Sequence, residues 1–145
     1  MSRRQLREAV FLTLFQTAFS PKETEPDNIV EEIIQANIEE FELIAAPADA
    51  AYISETVKAV LAYSDKSDEI INRYSKTRKV GRIAKVNAAV MRLALYEMDC
   101  IDDDKVPPKV AMNEGIELAK KYADDKDCKF ISGLIGAYYK DKYES

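Results

Sequence analysis

The sequence predicts an all-α fold of about seven helices, and three observations carry that prediction. Hydrophobic residues make up 47% of the chain and charged residues 32%, with only four Gly and five Pro among 145 residues. Such a composition suits packed helices better than a β-sandwich or a disordered chain. Between residues 79 and 139, three helical periodicities follow one another with short connections, and short connections favour antiparallel neighbours.

The first helix is predicted from Ser2, an N-cap candidate, through Phe19, with Pro21 ending it. Leu6, Val10, Leu14 and Ala18 form one stripe; Phe11, Phe15 and Phe19 form a second. Arg3, Arg4 and Arg7 sit in its first two turns, where the helix dipole is positive and an acidic residue would be favoured. Three cations there are either an ordinary basic start to a cytosolic chain or ask for an anion, which a phosphate backbone would supply, with the amides of the helix start as further donors.

Pro26-Asp27 opens a second helix. Ile29, Ile33 and Ala36, flanked by Val30, Ile34, Ile38 and Phe41, make its apolar face, opposite an acidic, solvating one. A third follows Pro47, with Asp49 as cap candidate and Ile53, Val57, Val60 and Leu61 turned inward. Asp65 and Asp68 start a short fourth, whose buried set is Ile70, Ile71 and Tyr74.

The fifth helix is the centre of the chain. Ile83, Val86, Val90 and Leu93 recur at three and four residue steps while Ala84, Ala88, Met91, Leu95 and Met98 cover the flanks, and a helix so nearly apolar all round belongs inside a core. Gly81 marks the break before it, and Arg82 and Lys85 are expected on its first turn, again at the end unfavourable to cations. Asn87 is polar within the apolar run, so it is either hydrogen-bonded inside or turned toward a partner.

The sixth helix begins at Pro107-Pro108, where proline fits a first turn. Ala111, Leu118 and Tyr122 share one face with Met112, Ile116 and Ala119, and Glu117 and Lys121 form an i, i+4 pair on the other. Asp127 is the expected N-cap of the seventh, which would put Lys129 and Phe130 in its first turn. Phe130, Leu134 and Tyr138 form a stripe of that helix. That stripe accounts for Phe130 as a core residue; the alternative is that Phe130, framed by Lys120, Lys121, Lys126 and Lys129, is an aromatic platform for a base, with cations for the phosphates. Gly133 and Gly136 cost roughly 1 kcal/mol each against Ala in mid-helix, and a close helix crossing would account for them.

Charge is segregated along the chain. Although the net charge is −5, residues 23–57 carry ten acids and no Lys or Arg, and residues 73–96 carry seven bases and no acid. That separation allows a local basic surface on an acidic protein, while either charge run taken alone reads as a solvated helix face. The absence of histidine removes His-based acid, base or metal chemistry. Cys100 and Cys128, far apart in sequence, suggest neither a metal cluster nor a disulfide framework. Arg7 and Glu8 interrupt any N-terminal leader pattern, and no run approaches the length of a membrane span. A soluble cytoplasmic protein without cofactor or metal is the expectation.

Four segments, SRRQLREAVFLTLFQ (2–16), RIAKVNAAVMRLALYEM (82–98), VPPKVAMNEGIELAKKY (106–122) and KFISGLIGAYYK (129–140), resemble the NusB family of bacterial transcription antitermination factors, in order and at the family's spacing. The resemblance implies two small helical subdomains side by side, here residues 1–78 and 79–145. It implies a non-catalytic factor that binds boxA-type single-stranded RNA together with the ribosomal small-subunit protein acting as Nus factor E. The pair would load onto the RNA polymerase elongation complex in support of ribosomal RNA transcription. RNA contacts map to Arg3, Arg4, Arg7, Lys129 and Phe130, beside the Arg82 and Lys85 candidates, and the protein partner to Phe15 and Asn87. Some members form homodimers that cover the RNA surface.

The chain departs from the family pattern at Ser132, usually Asn, at Asn87, usually acidic, and at Gly115, usually Ala. A related domain precedes the catalytic domain of ribosomal RNA cytosine methyltransferases. The alternative expectation is therefore a stand-alone helical protein-interaction module.

Overall fold

The computed structural model of the chain describes residues 1–19, 26–41 and 47–144, and of residues 26–28 and 38–41 the backbone alone. Seven α-helices run through them in the order α1 (Arg3–Thr17), α2 (Pro26–Phe41), α3 (Pro47–Ala62), α4 (Ser64–Tyr74), α5 (Lys85–Cys100), α6 (Pro108–Tyr122) and α7 (Asp125–Tyr143), with one 3-10 turn at Val80–Arg82. No strand occurs among the described residues. The helices form two compact units, Met1–Ala62 and Tyr63–Ser145. The division falls earlier than the expected one after residue 78, because α4 packs on α5 and α7. Arg92 of α5 holds Asp68 of α4 through two hydrogen bonds, Nε to Oδ1 at 2.7 Å and an η-nitrogen to Oδ2 at 3.0 Å.

In the first unit, α1, α2 and α3 pack pairwise. Ser2 caps α1 and closes a capping box, its hydroxyl accepting from the Gln5 amide while the Gln5 side chain accepts from the Ser2 amide. Val10, Phe11 and Leu14 of α1, Val30 and Ile34 of α2, and Ile53, Val57 and Val60 of α3 make the core. Each large side chain fully buried there stabilises by about 1.5–3 kcal/mol. Thr13, also buried, turns its hydroxyl onto the Ala9 carbonyl at 2.9 Å.

Helix α1 stops at Thr17, short of the expected Phe19. The Ala18 and Phe19 amides reach back three residues, to Phe15 and Gln16, so the last turn tightens and Phe19 emerges 62% exposed. Asp49 does not cap α3, which already begins at Pro47. Its carboxylate instead takes the Met1 ammonium at 3.2 Å. Pro21 and the side chains of Ile38 and Phe41 lie outside the described residues.

In the second unit α5 is the axis. Ten of its sixteen residues are buried, among them Val90, Met91, Leu93, Leu95 and Met98, as its nearly continuous apolar surface requires. Helices α4, α6 and α7 surround it. The glycine that matters is Gly115 of α6. A Cβ there would stand 2.8 Å from the Ala94 Cβ and 3.2 Å from Ile135 Cδ1, so α5 and α6 approach as closely as they do because position 115 has no side chain. Gly133 and Gly136 face open space, with nothing within 4 Å of a built Cβ. The close crossing expected at those two positions is at Gly115 instead.

Candidate nucleic-acid interface

In the first unit Arg3 and Arg4 are exposed and Arg7 is half-buried, on a helix start with no acidic residue in its first turn. The capping box uses two of the amide donors there.

In the second unit the stretch joining α4 to α5 is built by local hydrogen bonds. The Ser75 amide closes α4 on the Ile71 carbonyl at 2.8 Å, and the Ser75 hydroxyl accepts from the Arg78 amide at 3.2 Å and donates to the Arg78 carbonyl. Asn72 Oδ1 accepts from the Val80 amide at 2.7 Å. These bonds hold a 3-10 turn ahead of α5, so Arg82 lies in that turn and Ile83 in extended backbone, and only Lys85 opens the helix. Arg82 on the first turn of the fifth helix is thereby corrected: Asn72 and Lys79 hold the chain in another conformation. Lys76, Arg78, Lys79, Arg82 and Lys85 are all exposed.

Arg78 reaches across to α7, its guanidinium carbon 5.9 Å from the centroid of the Phe130 ring, within cation–π range. Phe130 is half-buried and Lys129 beside it exposed. Helix α7 begins earlier than expected. Asp124, not Asp127, is the N-cap, accepting from the Asp127 amide at 2.8 Å. Lys129 and Phe130 therefore lie in the second turn, beyond Asp125 and Asp127, which complement the dipole at the start. Thus Arg82, Lys85, Lys129 and Phe130 belong to one unit, with Arg78 as a member that the choice of site residues passed over. Its only signal in the sequence was membership of the acid-free run, which does not single it out from six other bases.

Arg92 of the same run is engaged by Asp68, and Glu117 is met by Lys120 at 3.3 Å. Asn87 is 3% exposed, so the structure places it inside. Phe15 is half-buried, stacked on Phe11 and meeting Phe19 edge to face at 5.1 Å. Among the described residues no group of three or more Cys, Asp or Glu could hold a metal ion, and no helix is long and apolar enough to cross a membrane.

Sequence reasoning also passed over a polar centre in the second unit. Asp99, its side chain 3% exposed, accepts from the hydroxyls of Tyr63 at 2.7 Å, Tyr138 at 2.8 Å and Tyr143, and from the Lys142 ammonium at 3.1 Å. Burial alone would raise its pKa, and the four donors, Tyr143 first, outweigh that and hold the carboxyl below the ordinary range. Burial and then the bond to Asp99 push the Tyr63 and Tyr143 hydroxyls well above theirs.

The model of the NusB family matches residues 4–140 of the chain. A protein of Bacillus subtilis named transcription antitermination protein NusB is 36% identical over the whole of both chains. One of the same name from Acetivibrio thermocellus is 38% identical over all of this chain and 93% of its own length. Among solved structures, NusB of T. maritima superposes with a TM-score of 0.79 at 28% identity, covering 97% of this chain and 92% of that one. NusB from a complex of antitermination factors NusB and NusE with double-stranded RNA shares the fold, with a TM-score of 0.75 at 24% identity over 96% of each chain.

Proposed function

Because the chain belongs to the NusB family, whose members similar to it are named transcription antitermination proteins rather than enzymes, we propose that it works by binding nascent RNA. The ligand in this reading is boxA-type single-stranded RNA, taken up in the cytoplasm together with the ribosomal protein that acts as Nus factor E. The pair is then delivered to the RNA polymerase elongation complex in support of ribosomal RNA transcription. The observation that carries the reading is the Arg78 guanidinium over Phe130 within an exposed, acid-free basic stretch. An aromatic face for a base beside cations for phosphates is what single-stranded RNA binding uses.

Phosphates would meet Arg82, Lys85 and Lys129 in the second unit and Arg3, Arg4 and Arg7 in the first. Nus factor E would dock near Phe15, with buried Asn87 acting by shaping α5 rather than by touching the partner. A homodimer formed through the same phenylalanine region would compete with that docking.

A gel shift with boxA RNA, with and without the ribosomal partner, tests the reading. Expected are a shifted complex, tighter with the partner present, and loss of the shift in an Arg3→Ala/Arg4→Ala/Arg7→Ala variant. An RNA affinity unchanged in that variant would reject the assignment of the first unit. No affinity in either protein would leave a protein-interaction module.

A further inference from the structure

Helix α7 carries the basic and aromatic surface past Phe130. Eight residues on, roughly 12 Å along the helix, Tyr138 meets Tyr74 of α4 edge to face with ring centroids 5.7 Å apart. An open cleft of about 500 Å³ lies there, walled by Tyr63, Ile70, Tyr74 and Tyr138, a volume within the range of small-molecule sites. Three cations line it, Lys66, Arg73 and Lys142, against two acids, Glu69 and Asp141. Lys142 is paired with the buried Asp99 carboxylate at 3.1 Å, so Lys66 and Arg73 are the cations the cleft turns toward a ligand.

Two of these charges are already oriented. Asp141 accepts from the Tyr74 hydroxyl at 2.7 Å, and Lys142 is drawn toward Asp99 over the Tyr138 ring. Arg73 lies over the Tyr74 ring, 5.8 Å from its centroid. A guanidinium thus lies on an aromatic face here as it does at Arg78 and Phe130, in this case between neighbouring residues of α4.

We propose that this cleft is a further nucleotide subsite, which takes a phosphodiester at Lys66 and Arg73 and the adjoining ring against the tyrosine and isoleucine wall. It would hold the RNA chain where it continues beyond Phe130. The proposal rests on the RNA-binding reading and adds a length of chain to it.

The test measures the salt dependence of binding for boxA RNA with and without short single-stranded extensions at both ends, using the wild-type protein and a Lys66→Ala variant. The Lys66 side chain is exposed, so the variant should keep the wild-type melting temperature. The extension is expected to steepen the salt slope of the wild type by about 0.7 for each phosphate engaged, and the variant to lose that increment while binding the unextended RNA as the wild type does. Equal slopes for the two RNAs in the wild type would overturn the subsite, as would an increment that survives in the variant.

A second arm titrates uridylyl-uridine, and separately inorganic phosphate, while following the amide resonances of Ile70, Tyr74 and Tyr138. Saturable shifts with the dinucleotide and weaker ones with phosphate support the subsite. No shift with the dinucleotide, or stronger binding of phosphate, overturns it. If unextended boxA RNA fails to bind, the parent reading fails, and this arm still decides whether the cleft takes a nucleotide.

Discussion

The Tyr63 hydroxyl donates to Asp99 Oδ2 at 2.7 Å, joining the residue that precedes α4 to the penultimate residue of α5. Tyr138 and Tyr143 of α7 donate to the same carboxylate, so one buried anion ties three helices of the second unit at their shared end. A buried carboxylate is tolerated only when its lone pairs are filled, and here hydroxyls and an ammonium fill them.

Removing that anion should be costly. Asp99→Ala is expected to destabilise the second unit by about 3–5 kcal/mol, read by chemical denaturation. Tyr143→Phe and Tyr63→Phe should each cost about 1.5–3 kcal/mol, the worth of a hydrogen bond to a charged group. A midpoint for Asp99→Ala equal to that of the wild type would contradict the assignment.

The same cluster sets the pH window of stability. Asp99 is held below its unfolded value, so its contribution is present above about pH 3.9 and is lost as pH falls through the lower folded value. Tyr63 and Tyr143 are held above theirs, so their contribution is intact below about pH 10 and fades as pH rises further, because only the unfolded chain ionises them readily. Thermal melts across pH should show a plateau falling at both ends, and Tyr63→Phe should flatten the alkaline fall. An alkaline limb of unchanged steepness in that variant would contradict the account.

Glycines at two kinds of position should respond with opposite signs. Gly115→Ala drives a Cβ to within 2.8 Å of Ala94, and overpacking of this kind costs about 1–3 kcal/mol, partly offset by the higher helix propensity of Ala. Ala94→Gly in the same chain should relieve the clash, giving a positive coupling in a double-mutant cycle. Gly133→Ala meets nothing and should raise stability by about 0.5–1 kcal/mol. Additive effects at 94 and 115 would show that the helices are not in contact there.

Arg92 separates structural from RNA-facing cations. Its paired bonds to Asp68 fix α5 to α4, so Arg92→Lys, which loses the two-pronged geometry, should lower the denaturation midpoint. It should leave RNA affinity and its salt slope as in the wild type. A drop in the slope would move Arg92 into the binding surface.

Much of the fold was legible because its signals are local. The periodicity of α5, the Pro107-Pro108 start of α6 and the Ser2 cap of α1 each depend on residues within a turn or two. The start of α7 was misplaced because Asp124, Asp125 and Asp127 are all credible caps, and only the geometry selects Asp124. Contacts between distant residues were not legible. Nothing near Asp99 announces three tyrosine hydroxyls arriving from 36 to 44 residues away, and Gly115 owes its meaning to Ala94 on another helix. Of the candidate site, the basic stretch was visible as a missing acid. That Arg78 lies over Phe130 was not, since that contact depends on how Ser75 and Asn72 fold the connection.

The central claim, that the basic stretch and Phe130 together hold single-stranded RNA, is tested most directly by the salt dependence of boxA RNA binding in Arg78→Ala and Phe130→Ala. Loss of a phosphate contact at Arg78 should flatten the slope by about 0.7. Loss of the stacking face at Phe130 should cost about 1–3 kcal/mol of affinity with the slope intact. Binding by both variants that matches the wild type at every salt concentration would contradict the claim.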